Sequence, residues 1–155
     1  MRPRFALLAL LLFAAPAARS QSAASVRVNV LRQLEFGALI DGVEASLRPV
    51  DGKATAMFEI IAPAGTNVQL NFTLPAALTG EGGGRVALTF GSQSAAYSVS
   101  ESSLDLIAFD PRAPFTLKLP ASGRVVVLIG GSARSSRQLS SGRYTSSLSL
   151  SVTVQ

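Results

Sequence analysis

From Leu148 to the end of the chain, apolar and polar residues alternate without a break: Leu148, Leu150, Val152 and Val154 are separated by Ser149, Ser151 and Thr153. A period of two is that of a strand with one face in a core and one in water, so the chain is expected to end inside a sheet. The same pattern recurs upstream. Val26, Val28 and Val30 alternate with Arg27 and Asn29; Ala54, Ala56, Phe58 and Ile60 with Thr55, Met57 and Glu59. Val68, Leu70, Phe72 and Leu74 alternate with Gln69, Asn71 and Thr73, and Phe115, Leu117 and Leu119 with Thr116 and Lys118. Val86, Leu88 and Phe90 form a shorter set, followed by Tyr97 and Val99. Val125 to Ile129 is an unbroken apolar run, rich in β-branched residues, as expected of a central strand covered on both faces.

Turn chemistry separates these runs. Asp51-Gly52, Pro63-Ala64-Gly65 and the glycine-rich Gly80 to Gly84 fall between them. Asp110 to Pro114 contains two prolines and cannot continue a ladder, because proline has no N–H to donate. Ala121-Ser122-Gly123 reads as a hairpin turn, Gly130-Gly131 as the end of the buried run, and Ser132 to Ser141 as a loop. Leu104 to Phe109 fits a short helical turn or an edge strand. No segment carries a 3.6-residue period. The predicted fold is all-β, a sandwich of about seven to nine antiparallel strands.

The first twenty residues read differently. Arg2 and Arg4 precede an apolar stretch from Phe5 to Ala15, then Pro16 and the small-residue set Ala18-Arg19-Ser20. That is the pattern of a secretion signal, expected to be cut after Ser20. The apolar stretch is shorter than the ~20 residues that span a bilayer, so no membrane span is expected in the mature chain. Removing residues 1–20 leaves 135, enough for one domain. Residues 21–33 are then an N-terminal arm or first strand, and 34–155 the sandwich domain. Arg2, Arg4 and Arg19 leave with the signal, taking 14 basic residues to 11 against 9 acidic, a net charge of +2. Arg134, Arg137 and Arg143 are the closest basic group. They sit in a Ser/Gly-rich segment with no interleaved aromatics, which suits solvent better than nucleic acid.

The chain has no His and no Cys, and no Trp. Histidine-based triads, cysteine nucleophiles and ordinary zinc sites are therefore out of reach. Nine carboxylates remain, and they fall in turns or on polar strand faces where solvated acids are expected. Glu101 and Asp105 lack the dense Asp/Asn/Gly spacing of a calcium loop. Gly80 to Gly84 lacks the Lys-Ser/Thr end of a phosphate loop. No catalytic residue, cofactor or metal is expected, and the protein is not expected to be an enzyme.

Four short motifs carry a resemblance. Leu34-Glu35-Phe36-Gly37 supplies an L-x-F-G element, and Ala56 to Ile60 followed by Ala64-Gly65 an A-x-F-x-I segment with its glycine. Ile129-Gly130-Gly131 gives an apolar-Gly-Gly element, and Gly142-Arg143-Tyr144 leads into the closing alternation. Together they resemble domain-of-unknown-function family 4402, a group of secreted bacterial pilin-like domains related to spore coat protein U and fimbrial major subunits. Leu34, Phe36, Gly37, Phe58, Gly65, Gly130, Gly131, Gly142 and Tyr144 are the positions that match. Two positions depart from the pattern: Val154 stands where pilins usually have a tyrosine, and Ser146 where the family often has Gly. The resemblance implies an immunoglobulin-like sandwich that is exported and open to assembly by a periplasmic chaperone and usher. It also implies self-association by strand exchange, in which an incomplete sheet accepts a strand from the next subunit. Gly142 would then suit close chain approach. Val26, Val28 and Val30 would be the donor segment, or else the protein's own first strand. The expected function is an exported structural subunit of a surface or periplasmic fibre or coat. The alternative is a monomeric secreted module that binds through its loops.

Overall fold

A computed structural model describes residues 25–99, 105–135 and 139–155. The expected secretion signal, residues 21–24, Glu101, Leu104 and Arg137 lie outside the described residues.

Most of the alternating runs are extended, though Ala54, expected to open one of them, belongs to a 3-10 turn instead. The chain forms β1 (Arg27–Arg32), β2 (Glu44–Leu47), a 3-10 turn (Pro49–Ala54), β3 (Ala56–Ile61), β4 (Asn67–Thr73), β5 (Ala77–Gly80), β6 (Arg85–Thr89) and β7 (Ala95–Ser98). There follow β8 (Ile107–Phe109), β9 (Phe115–Lys118), β10 (Arg124–Ile129), β11 (Gly131–Ser135), β12 (Tyr144–Thr145) and β13 (Ser149–Val154). They make three antiparallel sheets, in the orders β1-β3-β10-β7-β8, β12-β5-β6-β11-β2 and β13-β4-β9.

The sheets pack as an all-β sandwich around one core. Phe58 and Ile60 of β3, Val68 and Leu70 of β4, Val86 of β6 and Val125, Val127 and Ile129 of β10 are buried together. Each such side chain contributes roughly 1.5–3 kcal/mol by leaving water. β10 lies between β3 and β7, as its unbroken apolar run requires. Ring contacts fix how the sheets overlie. Phe58 of β3 meets Phe72 of β4, with centroids 6.4 Å apart, and Phe109 of β8 stacks on Phe115 of β9 at 4.3 Å. β9 meets β7 and β8 through Phe115, while β4 reaches both β8 and β3 through Phe72, which also lies 6.0 Å from Phe109. β4 is thus nearer β3 than β9 is, and β13 lies beyond it on the side of β1.

Several expectations need correction. The strands number thirteen among the described residues: short β2, β5, β8 and β12 add to the count, and one long run is divided as it passes between sheets. Gly130 is where this happens. The chain does not turn there but continues as β11, joining a second sheet beside β2 and β6. A Cβ on Gly130 would lie 2.1 Å from the Leu47 carbonyl oxygen, so only glycine admits this crossing. Ser132 to Ser135 is consequently strand, and Arg134 sits opposite Glu44 rather than in a loop. The Ala121-Ser122-Gly123 turn forms, with the Gly123 N–H donating to the Pro120 carbonyl at 2.9 Å. It is not a hairpin, since β9 and β10 belong to different sheets. Residues 107–109 form an edge strand. The last strand joins a sheet at its edge, not inside it, pairing with β4 alone.

Candidate functional site

Among the described residues the three sheets have six edges, and an edge strand leaves unpaired backbone that invites further pairing. Four of the six are short. β8 has three residues, β12 two, and β2 and β9 four each. Proline lies within two residues of three of them: Pro49 after β2, Pro111 after β8, and Pro114 and Pro120 on either side of β9. β1 and β13 are different. Each has six residues, and no proline lies within several residues of either.

These two long edges bound the same side of the sandwich. The opposite side is closed by the β8–β9 connection and by the Phe109–Phe115 stack. In that connection the Arg112 guanidinium donates to both carboxylate oxygens of Asp110, at 2.8 and 2.7 Å. Together with the Arg112 backbone N–H, these bonds hold the Asp110 carboxyl down at about 2. Asp51, in the 3-10 turn, is likewise lowered by hydrogen bonds from Arg48.

On the open side, register shows which residues point inward. Val28 pairs with Ile60 and Val30 with Phe58, so both valines lie on the core face of β1. Leu150 pairs with Phe72, Val152 with Leu70 and Val154 with Val68, which places all three on the core face of β13. Their partners are in the core, yet the edge residues are poorly covered: Val28 is 37% exposed, Val30 63% and Val154 45%. Inward-facing apolar side chains that meet water lack a strand beside them.

Where β1 ends and β13 is about to begin, the opening deepens into a cavity of about 330 Å³. Val30 and Leu34 form one wall and Ser146 to Leu148 the other; Phe36, Phe58, Leu88 and Phe90 are the apolar floor. Because the end of β1 and the start of β13 meet there, the two strands run in opposite directions along the opening. A shallower cleft of about 900 Å³ adjoins it, between residues 33–41 and 139–146.

Several sequence-predicted positions meet here. Val30, Leu34, Phe36 and Phe58 line the smaller cavity; Gly37, Gly142 and Tyr144 line the cleft. Tyr144 lies over the β5–β6 hairpin and donates its hydroxyl hydrogen to the Ser140 carbonyl at 2.8 Å. A Cβ on Gly80 or Gly84 would approach that ring or its hydroxyl to 2.8 and 2.5 Å. Gly142 serves a different purpose from the one expected. It has open space around it, and its φ of +144° is what calls for glycine. Gly65 turns the chain between β3 and β4, away from this site, and Gly130 and Gly131 stand at the β10–β11 crossing.

One acid departs from the solvated expectation. Glu59, on the outer face of β3, is only 7% exposed. It accepts a hydrogen bond from Asn29 Nδ2 at 2.8 Å and is ion-paired with Arg124. Its polar neighbours on β1 and β10 are what make its burial tolerable. Nothing in the alternation marks it, because the pattern assigns a face without saying how well that face is covered. Leu88 and Phe90 were legible as strand residues but not as the floor of a cavity. Among the described residues, no three acidic side chains gather as a metal site would need.

No family model and no curated protein matches this chain.

Proposed function

We propose that this protein is a non-catalytic structural subunit, exported and built into a surface or periplasmic fibre or coat by β-strand complementation. One observation carries the reading: the two long, unprotected edges, β1 and β13, flank one opening lined by inward-facing apolar residues. Once β1 has itself been donated, a strand from a second copy entering that opening would pair with β3, lie beside β13 and cover Val154. The Leu34-Phe36 element of the pilin-like motif set lines the end of the same opening, which supports an immunoglobulin-like, pilin-like reading of the sandwich. The N-terminal apolar pattern supports export, and a chaperone strand could hold the opening before assembly.

The segment with Val26, Val28 and Val30 is the donor of choice in this reading. In the isolated chain it pairs with its own β3 as β1, so donation means exchanging that pairing for one in a neighbour. The test is an immunoblot of native extracts in SDS, with and without boiling. A ladder that collapses on boiling is expected; a single monomer band in both lanes rejects strand-exchanged assembly. That second result would favour a monomeric binding module acting through the 900 Å³ cleft between residues 33–41 and 139–146.

A further inference from the structure

The six residues of β1 are attached in an unusual way. Every residue from Arg27 to Leu31 is exposed and Arg32 is half-buried, so the strand adds little apolar burial. It has one neighbour, β3, and its register slips between Val30 and Arg32. What holds it besides the ladder is polar. Asn29 Nδ2 donates to Glu59 at 2.8 Å, and Arg32 Nε donates to the Thr55 carbonyl at 2.7 Å. Both anchors belong to parts of the fold that stand without β1. Glu59 retains Arg124 on its other side, so departure of Asn29 does not strand a buried charge. Thr55 is tied by its hydroxyl to the Gly52 carbonyl at 2.9 Å. β3 itself remains paired with β10 along its whole length.

We infer that β1 is a releasable strand: the folded chain passes between a form with β1 docked on β3 and a form with β1 free, the rest of the sandwich staying intact. The Asn29–Glu59 and Arg32–Thr55 contacts act as clasps that set the balance between the two. The inference rests on the attachment of β1 alone and holds whether or not the chain polymerises. It gives the protein a segment that opens locally, at a free energy below that of global unfolding.

Hydrogen–deuterium exchange on the purified protein, read by mass spectrometry, tests it. Amides of β1 are expected to exchange about 100-fold or more faster than those of β4 and β10, as a sub-global opening requires. Asn29→Leu is expected to speed β1 exchange about tenfold further, with β4 and β10 unchanged. Oxidised cysteines placed by Arg27→Cys and Ile61→Cys, which are register partners, should slow β1 to the rate of the core, reversibly with reductant. Exchange of β1 at the core rate in the unmodified protein would overturn the inference. So would an Asn29→Leu variant in which β4 and β10 speed up as much as β1, since that would mean the strand leaves only when everything unfolds.

Discussion

Val30→Asp separates folding from assembly. In the isolated chain Val30 is 63% exposed, so roughly a third of its surface is covered. Full burial of a valine is worth about 1.5–3 kcal/mol, and the change therefore forfeits about 0.5–1 kcal/mol of burial. The poorer strand preference of aspartate adds up to about 1 kcal/mol. A loss of about 1–2 kcal/mol leaves a domain of ordinary stability, about 5–15 kcal/mol, folded. In the proposed fibre position 30 would be covered as part of the donated strand. A carboxylate there is desolvated without a partner, at a cost of several kcal/mol. Taking about 4 kcal/mol, assembly should weaken roughly a thousandfold, at about 1.4 kcal/mol per factor of ten. The assay pairs a thermal melt of the monomer with the unboiled SDS ladder from native extracts. A variant that melts within a few degrees of the parent but forms no ladder is the expected result. Ladders at parental yield would refute the assignment of this opening as the assembly site.

Three further outcomes follow from local geometry. Gly130→Ala places a Cβ 2.1 Å from the Leu47 carbonyl oxygen and 2.9 Å from its carbon, both main chain; urea unfolding should show a loss of about 3 kcal/mol or more, because neither strand can step aside cheaply. Gly84→Ala sets a Cβ 2.5 Å from the Tyr144 hydroxyl, so Tyr144→Phe should recover part of the loss, with a coupling of about 1 kcal/mol in a double-mutant cycle. The Asp110 carboxyl, lowered from 3.8 to about 2, stabilises the β8–β9 turn fully above its ordinary range and loses that effect as pH falls through about 2. A carboxyl NMR titration should show that low midpoint, and Arg112→Gln should bring it back up toward the ordinary range.

Most of the strands were legible because alternation reports a solvated face directly. Phe58 and Ile60, Val68 and Leu70, and Leu117 and Leu119 all fall where the pattern places them. The run from Val125 to Ile129 announced its central position for the complementary reason, having no polar face to offer. What the pattern does not carry is sheet membership. β10 and β11 read as one strand followed by a loop, because glycines at a sheet crossing look like glycines at a turn. Two-residue β12 and four-residue β2 are too short for a period to register. The site was half legible for a related reason. Alternation along Val26, Val28 and Val30 shows that one face is apolar, but coverage of that face depends on whether another strand lies across from it. Only the placement of β13 beyond β4, on the side of β1, reveals that the sandwich stops short there.

In the proposed assembly the opening would also select its occupant. With β1 donated, covering the exposed part of Val154 recovers roughly 1 kcal/mol. A six-residue strand bonded on both sides makes up to about twelve ladder bonds at about 0.5–1 kcal/mol each, about 6–12 kcal/mol. Ordering that strand costs about 1–2 kcal/mol per residue, about 6–12 kcal/mol. A polar or glycine-rich segment therefore gains almost nothing by entering. A segment that brings three buried valines of its own adds about 5–9 kcal/mol and tips the balance. The requirement is alternation of apolar residues on one face, with nothing bulky or proline-bound to interrupt the ladders. Val26, Val28 and Val30 meet it, and β1 is also the long edge strand whose residues are most exposed in the isolated chain. The segment best suited to fill the opening is thus one that loses little by leaving its own sheet. That combination would give the proposed strand exchange between copies a driving force without requiring the core to come apart.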